Sequence, residues 1–200
     1  YFLLYLSHII GFYFNEDFAG GFEYDFKIHE GLIKDLFNDS LIFGLLNYDR
    51  NYIPHSPIFI IYLIFIQKIF VSEELFRLIN LHIFLLIPWL TGVCLKIRYR
   101  LDNYDFRLLL PSIFFLSPFF RAGAIWTDDN IFAIIFFLIC ILYFIKYERN
   151  KTKFEYIILC SFFLALTSYF RPIYCLFSVY FTIIFFIDLK LSKKFFYYIL

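Results

Sequence analysis

Apolar stretches recur along the chain at 1–14, 58–70, 78–95, 108–126, 131–145, 156–170 and 172–187, and charges are confined almost entirely to the gaps between them. Runs of this length and frequency need lipid as their solvent. In lipid the backbone polar groups must be satisfied within each segment, which leaves helices as the natural solution. Composition agrees: 62% of the 200 residues are hydrophobic, with 32 Phe, 17 Tyr and 2 Trp, more than a globular core absorbs. A soluble enzyme, a nucleic-acid binder and a disordered linker are excluded on that count. The net charge of +1 is too small to call for a polyanion partner. Cys94, Cys140, Cys160 and Cys175 all fall inside apolar runs without metal-ligand spacing, so they read as small buried hydrophobes. The chain has no Met and opens and closes inside apolar runs, which reads as a module truncated at both ends.

The distribution of charge sets an expected topology. Lys96, Arg98, Arg100 and Arg107 share one gap, Lys146, Arg149, Lys151 and Lys153 a second, and Lys190, Lys193 and Lys194 a third. The positive-inside rule makes these gaps cytoplasmic. Segment 15–56 instead holds eight acids and three bases. Counting back from Lys146 puts Trp126, Thr127, Asp128 and Asp129 outside, and then Ser72, Glu73 and Glu74 outside as well. An external acidic loop therefore requires that 58–70 does not cross. Its length agrees, since the 14 residues from Ile58 to Val71 at about 1.5 Å each reach about 21 Å against a hydrocarbon core of about 30 Å. The competing reading has this helix spanning and the acidic loop cytoplasmic.

The expected fold is all-α: a polytopic transmembrane helical bundle with two interfacial helices in a long first external loop. Spanning helices are expected at about 1–14, 75–96, 107–126, 130–146, 154–170 and 172–188, with another starting at 194–200. The external loop covers 15–73. Its surface helices are expected at about 24–38, where apolar residues recur at helical spacing, and about 55–70, after Pro54-His55-Ser56-Pro57.

Polar residues in or beside membrane helices are costly, so each is a candidate. Asn80 and His82 are explained by bonds between helices. Arg121 and Arg171 each adjoin an apolar run on the external side, where cations are disfavoured. They suit either an anionic partner such as phosphate or snorkelling to headgroups. Asp25 follows Gly20-Gly21-Phe22-Glu23-Tyr24, and Asp128-Asp129 follow Trp126-Thr127 at a helix start. Interfacial carboxylates can act as general bases or bind a divalent cation. Capping for the pair, and a solvated helix face for Asp25, are the structural alternatives.

Taken in order, Gly20-Gly21-Phe22-Glu23-Tyr24-Asp25, His55-Ser56-Pro57-Ile58, Phe76-Arg77-Leu78-Ile79-Asn80, Ser117-Pro118 before Trp126-Thr127-Asp128-Asp129, and Phe170-Arg171-Pro172 resemble the GT-C membrane glycosyltransferases. That family includes protein mannosyltransferases, oligosaccharyltransferase catalytic subunits and aminoarabinose transferases that use a polyprenyl-phosphate sugar donor. The chain departs from the pattern at Ser56, where many members have proline. It also lacks their Asp-Glu pair after the first helix, unless Glu16-Asp17 fills that part, which leaves Asp17 and Asp25 as rival catalytic acids.

The resemblance implies an inverting transfer from the lipid-linked donor to a glycan, lipid or protein acceptor at the outer face, with Asp25 as base and Glu23 beside it. Asp128 and Asp129 would bind a divalent cation (Mg or Mn) or orient the acceptor, and Asp25 with Asp129 would be the metal ligands. Arg171 and Arg121 would hold the donor phosphate, and His55 belongs to the loop. It implies a multi-pass protein of the plasma membrane in a bacterium, or of the endoplasmic reticulum in a eukaryote, with no nucleic-acid partner. A transporter or flippase of lipid-linked sugars, or a non-catalytic membrane subunit, are the alternatives.

Overall fold

The computed structural model describes residues 2–18, 20–37, 40–48, 57–70, 72–101 and 109–189. Their regular structure is helical: α1 (Phe2–Tyr13), α2 (Phe22–Phe37), α3 (Leu41–Leu46), α4 (Pro57–Ile69), α5 (Glu73–Phe84), α6 (Leu86–Tyr99), α7 (Pro118–Ile125), α8 (Asp129–Arg149), α9 (Glu155–Phe170) and α10 (Leu176–Leu189). Short 3₁₀ turns at Pro111–Leu116 and Pro172–Cys175 precede α7 and α10. Among the described residues three helical stretches are long and apolar enough to cross a membrane: Glu73–Tyr99, Asp129–Arg149 and Pro172–Leu189.

The two helices expected on the surface are present as α2 and α4. α2 turns Phe22, Phe26 and His29 inward at helical spacing. α4 buries Phe59, Ile60, Leu63 and Ile64 and is 13 residues long, about 20 Å, short of the hydrocarbon thickness. α3 was not expected. Ser40 caps it by accepting the Phe43 N–H.

Prolines account for the other departures. The stretch 75–96, expected to span, lies within the apolar helical stretch Glu73–Tyr99, which is interrupted once, at Leu85, between α5 and α6. Pro88 has no N–H for the Phe84 carbonyl, and just before it Leu85 N–H turns back to His82 O at 3.1 Å. The stretch 107–126, read as one spanning helix, is over its described residues a 3₁₀ turn and then α7. Ser117 is pushed to extended backbone by Pro118, which opens the next helix. Likewise Arg171 leaves α9 in extended conformation because Pro172 follows it.

Side chains then hold the bundle. Phe26, Phe59, Phe76, Phe84 and Phe115 form the larger core with α4 and α5, and Cys140, Phe144, Cys160, Phe181 and Phe185 a second one between α8, α9 and α10. Asn80 and His82 both bond across helices, Asn80 with the Tyr62 hydroxyl of α4 and His82 with the Tyr5 hydroxyl of α1 at 2.9 Å. Cys94, Cys140 and Cys160 are buried as expected, but Cys175 is exposed on the 3₁₀ turn. At one end of the bundle Arg98 faces Glu148 at 3.7 Å and Lys151 holds Asp188 at 2.8 Å. The opposite end gathers the C-termini of α1, α7 and α9 with the N-termini of α2, α5 and α8.

Candidate functional site

Two helix ends build the polar groups of this region in the same way. α1 closes with Asn15 in the left-handed region (φ 52°), Asn15 N–H bonded to Phe12 O at 3.1 Å and Glu16 N–H to Gly11 O at 2.9 Å. α7 closes with Thr127 left-handed (φ 57°) and Asp128 N–H bonded to Gly123 O at 2.9 Å. Each turn passes directly to a buried carboxylate, Glu16 in one and Asp128 in the other.

Beside the first turn the guanidinium of Arg121 is saturated, although both ring nitrogens of the neighbouring buried His8 lack a hydrogen-bond partner among the described residues. Arg121 Nε donates to Glu16 Oε1 at 2.8 Å and Nη2 to Glu16 Oε2. Nη1 donates to Ser7 Oγ at 2.7 Å and to Phe115 O at 3.5 Å, and Nη2 also reaches Ser7 O at 3.1 Å. The five N–H groups of a guanidinium are thereby occupied. Gly11 lets this pair lie against α1, since a Cβ there would stand 2.4 Å from Glu16 Oε2 and 2.9 Å from Arg121 Nη2. Arg121, expected to hold a phosphate, is instead fully engaged inside the protein.

The second turn is different. Arg171 pairs with Asp129 Oδ1 and lies 3.6 Å from Asp128 Oδ2, so one guanidinium serves two carboxylates that are 6% and 1% exposed. Asp128 also caps α8, accepting Asn130 N–H at 2.8 Å. Capping and site readings therefore coincide on one residue. Burial first, and then the charge of Asp129, push the Asp128 carboxyl up to about 6 against the pull of Arg171. Among the described residues Arg171 Nε, the Thr127 hydroxyl and the Trp126 indole N–H have no hydrogen-bond partner. Buried donors left unmatched beside a charged cluster are what a ligand-binding site requires and what a purely structural joint avoids.

α2 docks on this corner. Phe22 meets Phe119 edge-on at 5.0 Å and Phe26 lies 6.1 Å from Trp126. Gly123 sits where an added Cβ would touch both Phe22 and Asp128 at 3.5 Å. Glu23 and Asp25 thus belong to the first turn of a helix packed on the segment that leads into Asp128. Asp25 is exposed, whereas Glu23 pairs with Lys27. Asp17, the rival acid, caps α2 by accepting Glu23 N–H at 3.3 Å and lines a cavity of about 380 Å³ beside Arg121. Gly20 and Gly21, at φ 73° and 96°, make the turn between them. His55 lies outside the described residues.

A larger cavity of about 650 Å³ opens between α1, α2 and the start of α5, with Glu23, Glu73, Glu74, Arg77 and Trp126 in its wall. Arg77 is buried and braces it: Nε donates to Ile125 O at 3.0 Å, Nη2 to Asn15 Oδ1 at 2.9 Å, and the guanidinium lies 3.6 Å over the Trp126 ring. Neither this brace nor the Glu16–Arg121 clamp was read from the sequence. Arg77 and Gly11, each out of character within an apolar helix, were the available signals.

A divalent cation finds a poor fit here. The described residues bring no three metal-ligating side chains together, and the Asp129 carboxylate expected to coordinate it already faces Arg171. Comparisons with protein-family models, with curated proteins and with solved structures gave no significant match to this chain.

Proposed function

We propose that this is part of a multi-pass membrane glycosyltransferase that moves a sugar from a polyprenyl-phosphate donor to an acceptor hydroxyl at the outer face. One observation carries the reading: the buried, under-satisfied Asp128–Asp129–Arg171 group lies on the bundle end where α2 presents Glu23 and Asp25. Charged chemistry gathered at one end of an apolar bundle suits a substrate whose prenyl tail lies in lipid and whose phosphate lies at the interface.

Arg171, with its unmatched Nε, holds the donor phosphate oxygens. Asp25 takes the proton of the acceptor hydroxyl, whose oxygen attacks the anomeric carbon. The bond from that carbon to the phosphate oxygen breaks, the electron pair leaves with the lipid phosphate, and the configuration inverts. Asp128 and Asp129 orient the acceptor. In a bacterium the protein occupies the plasma membrane, in a eukaryote the endoplasmic reticulum.

The test is Asp25→Asn in the full-length protein, purified in detergent and supplied with lipid-linked sugar. Loss of glycan product with unchanged thermal stability is expected. Product formed at the wild-type rate by Asp25→Asn would remove Asp25 as the base. No product from the wild type with any polyprenyl-phosphate sugar would sink the transferase reading.

A further inference from the structure

The charges in the wall of the 650 Å³ cavity are unequal, with Glu23, Glu73 and Glu74 against Lys27 and Arg77. Both cations are already committed. Lys27 is held by Glu23 one helical turn away, and Arg77 by Glu73 at 3.6 Å together with Ile125 O, Asn15 Oδ1 and the Trp126 face. Among the described residues Glu74 has no cation of its own, and it is exposed at the first turn of α5. The rest of the wall includes the aromatic rings of Phe12, Tyr13 and Trp126. Trp126 is 4% exposed, and its indole N–H has no partner among the described residues. The cavity volume lies within the range of small-molecule sites.

Such a wall offers carboxylate acceptors and the exposed ring of Tyr13, and each of its cations is paired with a carboxylate of its own helix. It favours a ligand with hydrogen-bond donors along its edge and apolar faces, and it repels an anion. We propose that this cavity binds a saccharide ring that is neutral or amine-bearing, and rejects one that carries a carboxylate or phosphate. The inference rests on the transferase reading in that it assigns the acceptor to the cavity and leaves the anionic donor to Arg171. The two ligands then meet at Trp126, which stands in the cavity wall two residues before Asp128.

Saturation-transfer NMR on the full-length protein in detergent tests it without turnover, using methyl glucoside, glucosamine and glucuronate as probes. The first two are expected to show transfer and glucuronate none. Glu74→Gln should weaken glucosamine by about tenfold, the loss of one charge-assisted bond, and methyl glucoside by less. Glu74→Lys, a surface change that the fold tolerates, should admit glucuronate. Glucuronate binding as well as methyl glucoside, no binding of any probe, or an unchanged order in Glu74→Lys each overturns the proposal. Asp25→Asn separates the two readings, because it should abolish transfer and leave saccharide binding intact. Binding in the expected order without transfer by the wild type sinks the transferase and leaves the cavity standing. Transfer with saccharide binding indifferent to Glu74 does the reverse.

Discussion

The two left-handed turns at the ends of α1 and α7 share a backbone and differ in how fully their polar groups are matched. Asn15 hands on to Glu16, and Thr127 to Asp128. Glu16 meets an arginine whose five donors are all used within the protein, whereas Asp128 and Asp129 share an arginine that keeps Nε unmatched next to two more idle donors, those of Thr127 and Trp126. In an apolar bundle an unmatched buried donor costs roughly 1–3 kcal/mol, so a fold that carries several at one place gains nothing in stability from them. The saturated joint is architecture. The unsaturated one is the joint that the proposed function assigns to a ligand.

The contrast predicts opposite responses to mutation. The largest effect is expected at the saturated joint. Glu16→Leu leaves the Arg121 charge buried and unpaired at a cost of about 3–5 kcal/mol, so little monodisperse protein should survive size-exclusion chromatography. Gly11→Ala forces the same pair apart and should lower the unfolding temperature by a smaller margin, on the order of 1–3 kcal/mol. If both variants are as stable as the wild type, the clamp is not architecture.

At the open joint the order of effects reverses. Arg171→Lys keeps the charge but loses the planar fork, and should reduce transfer about ten- to hundredfold while the protein stays folded. A variant that unfolds instead would place Arg171 with Arg121 as a structural group. The pH dependence separates the joints further. The Asp128 carboxyl is raised from 3.8 to about 6, so the folded state holds a proton that the unfolded state has released in that window. The contribution of Asp128 to stability should therefore fall as pH rises from about 4 to about 6, and change little above that. Thermal unfolding across this range would show a smaller fall in Asp128→Asn, and an identical fall would assign the effect elsewhere.

The smallest effect lies in the turns themselves. Thr127→Gly should stabilise by about 1 kcal/mol, because a β-branched residue is poorly suited to φ 57°. Asn15→Gly should instead lose about 1 kcal/mol, since Asn tolerates that region and the change removes the Oδ1 that accepts Arg77 Nη2. A Thr127→Gly protein that melts no higher than the wild type would mean that the left-handed turn carries no strain.

How much of this was legible from sequence depends on whether the cause is local. That α2 is a helix follows from the spacing of Phe26, Ile28, Leu32 and Ile33, though not which side turns inward, since Ile28 is exposed while His29 is buried; the shortness of α4 follows from the length of its apolar run. The break at Ser117-Pro118 is equally local, yet the surrounding run of Phe, Leu and Ile concealed it as one spanning helix. Pro88 was hidden in the same way within 75–96. The role of Arg121 could not be read along the chain, because Glu16 stands 105 residues away and only the packing of α1 on α7 joins them. The same limit applies to the cavity, whose wall draws on α1, α2, α5 and Trp126. The sequence placed Asp25 and the Asp128–Asp129 pair on one face through charge and parity, but not the partners that distinguish one carboxylate from another.

Arg77 connects these observations mechanically. Its guanidinium reaches Asn15 in one left-handed turn and the carbonyl of Ile125, two residues before the other. The closed joint therefore acts as a datum from which the open one is measured. Whatever shifts α1 against α5 is carried, through a single side chain, into the spacing of two carboxylates and an arginine.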